Sequence, residues 1–280
     1  MAKTKKTAVD KVAEPSEEIK PKEGTVLHMN GQEIWPGTTE SIRLYVGRLP
    51  IGARIHVKAN VYRAIKPGPT MLVIAGIHGD EITGTEIVRR AISEGIFDHL
   101  ISGSVIAIPL LNVFGFLNDA RDVPDGKDVN RSFPGNTRGS LASRLARVIG
   151  RHVLPIVDFG IDFHSGGDSR YNHPQIRFSP KDPAARDLAM IFDAPVQLAK
   201  TLVTGSLRKT AFELGIPMLI FEGGESKRLD NLSVYKGLEG LKRVLRHHGM
   251  LEGEVKPNPN PLVFRKSNWM RATFPGILNL

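Results

Sequence analysis

The chain has 280 residues, 41% of them hydrophobic, a net charge of +9 and no cysteine. That length allows one large α/β domain or two small ones, and without cysteine there can be no disulfide, thiolate metal site or cysteine nucleophile, so any metal must be held by nitrogen and oxygen. No stretch approaches the roughly 18 apolar residues that cross a membrane, the start lacks an apolar signal core, and the basic charge comes without a nucleic-acid-binding motif, so no membrane or nucleic-acid partner is expected and the expected location is cytoplasmic.

Residues 1–24 hold Lys3, Lys5, Lys6, Lys11, Lys20 and Lys22 with no hydrophobic period, and predict a disordered basic tail. Ile42, Leu44 and Val46, then Ile55, Val57 and Ala59, alternate as edge strands over 38–65. Pro67-Gly68-Pro69 breaks the chain before an apolar strand at 70–76, which runs into His78-Gly79-Asp80-Glu81 and a helix from Glu81 to Glu94. A strand at Ser104–Pro109 precedes a long polar loop over 112–135. Ser140 opens a helix to about His152. Strands follow near 156–163 and 194–199, a helix over Thr204–Leu214, an apolar strand at Pro217–Phe221, and a helix capped by Asp230 that ends near His248. Arg144, Arg147, Arg151, Lys242, Arg243 and Arg246 read as solvated helix faces. There is no internal repeat. The alternation predicts an α/β fold with a mostly parallel, mixed sheet and helices on both faces, in which ligands sit at the carboxyl ends of strands.

His78, Glu81, His164 and Glu222 all fall at such ends. Two imidazoles and one carboxylate on two strand tips make a zinc site with an open fourth position, the arrangement of a catalytic rather than a structural metal, so one Zn2+ per chain is expected. A zinc-bound water has a pKa of roughly 7 and attacks carbonyls at neutral pH. Asp80 competes with Glu81 as the carboxylate ligand. Asp162, two residues before His164, leaves the same face of its strand and is placed to orient an imidazole. Glu222 suits general base and then general acid work, with Glu225 as a nearby competitor. The loop over 112–135 is long for a compact domain and therefore a functional candidate; the alternative is a solvated loop with Arg131 paired to Asp128.

Four segments together resemble the succinylglutamate desuccinylase/aspartoacylase family of zinc carboxypeptidase-like hydrolases: Gly76-Ile77-His78-Gly79-Asp80-Glu81, Asp128-Val129-Asn130-Arg131-Ser132-Phe133-Pro134-Gly135, Asp162-Phe163-His164-Ser165-Gly166 and Phe221-Glu222-Gly223-Gly224. The resemblance covers about residues 40–275. It implies that His78, Glu81 and His164 bind zinc, that Glu222 is the general base, and that Arg121 polarises the scissile carbonyl. It also implies that Asn130 and Arg131 hold the substrate's α-carboxylate, with Arg177 and Arg208 as candidates for an arginine in the acyl pocket. The implied substrate is a small anionic N-acyl amino acid, cleaved at its amide. On this basis residues 25–250 form the zinc hydrolase domain. Residues 251–280, with Trp269-Met270-Arg271-Ala272, read as the remnant of a C-terminal β module that family members continue into, and a homo-oligomer could cover an edge left exposed. Two other readings share the motifs: a carboxypeptidase acting on peptides, and a non-catalytic relative that binds zinc or a ligand.

Overall fold

The computed structural model describes residues 26–256, 258–268 and 273–276. The tail expected over 1–24 and the segment Trp269–Ala272 lie outside these residues. The described chain begins with a small hairpin, β1 (Leu27–Met29) and β2 (Gln32–Ile34), turned by Asn30-Gly31. Both turn residues have positive φ, 52° and 76°, as a two-residue hairpin loop with right-handed strand twist requires. β3 (Thr39–Arg48), β4 (Arg54–Arg63) and β5 (Thr70–Ala75) follow, then α1 (Ile82–Ser93), β6 (Ser104–Ile108), a short α2 (Val113–Leu117) and α3 (Leu141–His152). The second half contains β7 (Phe159–Gly166), β8 (Asn172–Phe178), α4 (Pro183–Phe192), β9 (Val196–Ala199), α5 (Leu207–Glu213), β10 (Met218–Glu225), α6 (Asn231–His247) and β11 (Val263–Phe264).

One nine-stranded sheet organises the molecule, in the order β11-β9-β8-β10-β7-β5-β6-β4-β3. Its centre, β10-β7-β5-β6, is parallel, while β4 and β3 at one side and β8 against β10 are antiparallel. The mixed sheet is the one the alternation of elements predicts. All six residues of β5 are buried because the strand is covered on both faces. Leu72 and Ile74 pack with α3 and α5, whereas Met71, Val73 and Ala75 pack with α1, α4 and α6. Helix starts follow sequence: the side chains of Ser140, Asp182, Ser206 and Asp230 each accept a backbone N–H from the first helical turn, satisfying donors that the helix itself leaves open. Among the described residues no helix is long and apolar enough to cross a membrane.

Two boundaries move from the sequence expectation. Leu154–Ile156, with Pro155 inside it, forms a 3-10 turn, so the strand expected from 156 starts at Phe159 and runs on through His164 to Gly166. The helix expected from Thr204 starts at Leu207, after Gly205 with φ 78°. Beyond Met250, the described residues add β11 as a parallel edge strand on β9.

Gly84 lets α1 approach β7. A Cβ there would stand 2.3 Å from the Phe163 carbonyl oxygen, a backbone atom that cannot swing aside. Gly84→Ala is therefore expected to destabilise the fold by about 1–3 kcal/mol, the usual scale of overpacking, seen as a lower urea midpoint at unchanged slope.

Candidate metal centre and cleft

His78 lies three residues beyond β5, and Glu81 is the residue from which α1 departs. His164 sits in β7, directly opposite Glu222 of β10 in the parallel register, with Asp162 opposite Ile220. The turn after β5 is tight: a Cβ on Gly79 would fall 2.0 Å from the Gly115 backbone, so only glycine admits this packing of the turn on α2. His78, Glu81 and His164, all buried, bring their ligand atoms within 4.8 Å of one another and could hold a metal ion. Asp80 does not join them; its carbonyl accepts Lys227 N–H, and burial, with Glu81 alongside, raises its pKa.

The two imidazoles share a geometry. His164 Nε2 lies 2.8 Å from Asp162 Oδ2, and His78 Nε2 lies 3.2 Å from Asp128 Oδ1. Each outer nitrogen thus has a carboxylate to receive its proton, which leaves the two Nδ1 atoms as lone pairs. Those Nδ1 atoms stand 3.2 Å apart, each 2.7 Å from one oxygen of Glu81. Three acceptors facing one another require a cation between them. Without a metal, protons serve. Burial alone would lower both histidine pKa values, yet Glu81 and the backing carboxylates outweigh it and raise them, His164 well above its ordinary value. Glu81 is correspondingly held ionised: burial would raise it, but the two histidines drive it far down.

The site opens into a cleft of about 620 Å³ also lined by Asn130, Arg131, Arg177, Lys200, Arg208 and Glu222. Arg121, a third exposed, donates from Nη1 to Glu81 Oε1 at 3.1 Å and from Nη2 to Asp128 Oδ2 at 2.9 Å. The polar loop is thereby tied to the histidine cluster. Asp128 takes Arg121 as its main partner; Arg131 stays half-exposed at 3.9 Å, with its Nη1 on the Asn130 carbonyl. Asn130 accepts the Leu207 N–H at 2.9 Å, which joins the loop to the start of α5.

Glu222 is partly buried, 12% exposed, and this burial raises its pKa against the opposing charge of Arg177, whose Nη1 lies 2.7 Å from Glu222 Oε1. Glu225 instead pairs with Arg228 at 3.0 Å, away from the cluster. Among the described residues Arg208, 5% exposed, donates only to backbone carbonyls, Thr201 at 3.0 Å and Lys200 at 3.4 Å, and its Nε and Nη1 have no partner there. Burial and then Arg177 lower its pKa to about 10. Sequence reading did not bring out Asp128 as the partner of His78 or Asn172 beside Glu222, whose Nδ2 donates to Oε2 at 2.8 Å. A carboxylate inside the one long polar loop was the available signal for the first.

Comparison with known proteins identifies relatives of this chain. Residues 67–248 match the family model of the succinylglutamate desuccinylase/aspartoacylase catalytic domain. The N-α-acetyl-L-2,4-diaminobutyric acid deacetylase of Halomonas elongata is 29% identical over 227 residues, 76% of this chain and 66% of the relative. The chain thus spans just under two thirds of that relative's length. Among solved structures, the product-bound ectoine utilization protein EutE (DoeB) of Ruegeria pomeroyi superposes with a TM-score of 0.72 at 25% identity, covering 82% of this chain and 73% of that one. The succinylglutamate desuccinylase/aspartoacylase of Rhodobacter sphaeroides gives 0.71 at 27% identity with the same coverage.

Proposed function

The chain belongs to the succinylglutamate desuccinylase/aspartoacylase family, and on that premise we propose that it is a zinc-dependent hydrolase that cleaves the amide bond of an N-acyl amino acid. The observation that carries the proposal is the convergence of His78 Nδ1, His164 Nδ1 and the Glu81 carboxylate, with Glu222 beside them in one cationic cleft. The donor set fits zinc: two neutral imidazoles and a carboxylate, each imidazole backed by a second carboxylate.

Zinc bound by His78, Glu81 and His164 would supply Lewis acidity, polarising a carbonyl and acidifying water to a pKa of about 7. The protein supplies the rest. Asn130 and Arg131 hold the substrate's α-carboxylate at the cleft wall, Arg131 with a guanidinium still half-exposed. Arg208 offers two unpartnered donors to a further anionic group of the substrate. Arg121, which donates to Glu81 and Asp128, also donates to the carbonyl oxygen as negative charge grows there. Glu222 takes a proton from the attacking water and returns it to the leaving nitrogen, so that the C–N bond breaks to a carboxylate and a free amine. Its burial, which favours the neutral acid, suits it for both halves of that exchange.

The test is release of free amine from N-succinylglutamate and N-acetyl-2,4-diaminobutyrate, the compounds in its relatives' names, by zinc-loaded and chelator-treated protein. Turnover in the loaded form, its loss on chelation and its return with about one equivalent of zinc are expected. Cleavage of C-terminal residues from peptides but not of N-acyl amino acids would make it a carboxypeptidase instead. A zinc-loaded chain that cleaves neither would be a non-catalytic relative.

A further inference from the structure

Both oxygens of Glu222 are occupied from one strand. Arg177 donates from Nη1 to Oε1 at 2.7 Å and Asn172 from Nδ2 to Oε2 at 2.8 Å. Arg177 is fixed in turn, its Nε donating to Gln175 Oε1 at 3.3 Å. The antiparallel register sets Gln175 opposite Glu222, Arg177 opposite Ile220 and Asn172 opposite Gly224. Cross-strand partners, and residues two apart on a strand, share a face, so Gln175 and Arg177 flank Glu222 on its own side of the sheet. The other neighbour of β10 is β7, which sets His164 opposite Glu222. The carboxylate is thus gripped from β8 and stands next to the histidine cluster on β7.

We propose that Arg177 is a positioning residue for Glu222 rather than a ligand of the substrate: with Asn172 it fixes the orientation of the carboxylate beside the metal-binding residues. The two cleft arginines therefore divide the work. Arg177 has an Nη and its Nε committed to protein partners, whereas Arg208 keeps Nε and Nη1 without a partner among the described residues. The pair with Glu222 is largely withdrawn from solvent, with side chains 27% and 12% exposed, where a charge-assisted bond is short and strong. A general base must be held to within a fraction of an ångström, and a misplacement of about 1 Å costs up to 10²-fold in rate.

The inference rests on Glu222 as the general base, so the test includes Glu222→Gln. Steady-state kinetics, zinc content and urea unfolding are measured on the zinc-loaded parent, Arg177→Met, Arg177→Lys, Glu222→Gln and the double variant Arg177→Met/Glu222→Gln. Arg177→Met is expected to lower kcat by about 10–100-fold, with KM changed less than about twofold and zinc retained. In the Glu222→Gln background the same change should alter the residual rate by less than about twofold, because a residue that acts through another adds nothing once that other is gone. Arg177→Lys, which keeps the cation, should recover part of the lost kcat, and reads the role if Arg177→Met does not fold. A raised KM at unchanged kcat, an equal loss in both backgrounds, or parent kinetics in both Arg177 variants would overturn the proposal. Full activity in Glu222→Gln would instead remove the general-base reading, whatever Arg177 does.

Discussion

His164→Ala is expected to lose metal and activity together. The parent should carry about one zinc per chain, the variant almost none, as read by elemental analysis of protein purified without chelator. His164 is the residue on which the cluster turns: its Nδ1 meets Glu81 at 2.7 Å and His78 at 3.2 Å, and its Nε2 meets Asp162 at 2.8 Å. Removing it leaves two acceptors where three converged, and strands Asp162, 1% exposed, with a charge and no imidazole to receive it. Breaking a buried pair on one side costs about 3–5 kcal/mol, so unfolding is followed in parallel. Asp162→Asn separates the two effects. It keeps every metal-binding atom and removes only the carboxylate behind His164, and its zinc affinity should fall by about 10–100-fold rather than vanish. A His164→Ala protein that is folded and still carries one tightly held zinc would place the metal elsewhere.

Glu222→Gln should behave in the opposite way, keeping zinc and losing hydrolysis. The amide preserves the size of the side chain and an oxygen that can still accept from Arg177, but it turns a donor toward Asn172 where an oxygen accepted before, and it cannot accept and return a proton at the active pH. General acid–base catalysis contributes about 10²–10⁴-fold, and kcat should fall by that much with KM little changed. Metal content equal to the parent is the control, since Glu222 is not among the converging ligand atoms. Parent-like kcat in this variant would sink the assignment and return attention to the other carboxylates of the cleft.

Much of this site was legible in the residues, for physical reasons that can be named. β5 is a run of mostly apolar side chains that only a doubly covered strand can bury, so the polar His78 and Glu81 just after it had to lie at the carboxyl end of that strand, where sites form. Asp162 and His164 were paired by the two-residue period of a strand, and the structure joins them by a hydrogen bond. The choice between Asp80 and Glu81 was not legible, because both sit in one turn and only its three-dimensional path, closed over Gly79, sends Glu81 inward and ties Asp80 to Lys227. β8 was silent for a related reason: Asn172, Gln175 and Arg177 serve the cleft, so the strand lacks the apolar alternation that reveals one. Its neighbour α4 begins with Asp182-Pro183, a good start signal that stands out only once β8 is recognised before it. The pairing of Asp128 with His78 spans 50 residues, and no local pattern encodes a contact of that range.

The chain has no cysteine and so no covalent staple, yet Glu81 and His164 meet across a separation of 83 residues. An ion held between them acts as a reversible cross-link between the two halves of the sheet. Unlike a disulfide, its strength depends on supply: once free zinc exceeds the dissociation constant, each tenfold rise adds about 1.4 kcal/mol to the stability of the folded chain. With zinc bound there, the durability of the folded chain would be a property shared with its surroundings, responding to the metal at hand as well as to the packing of its core.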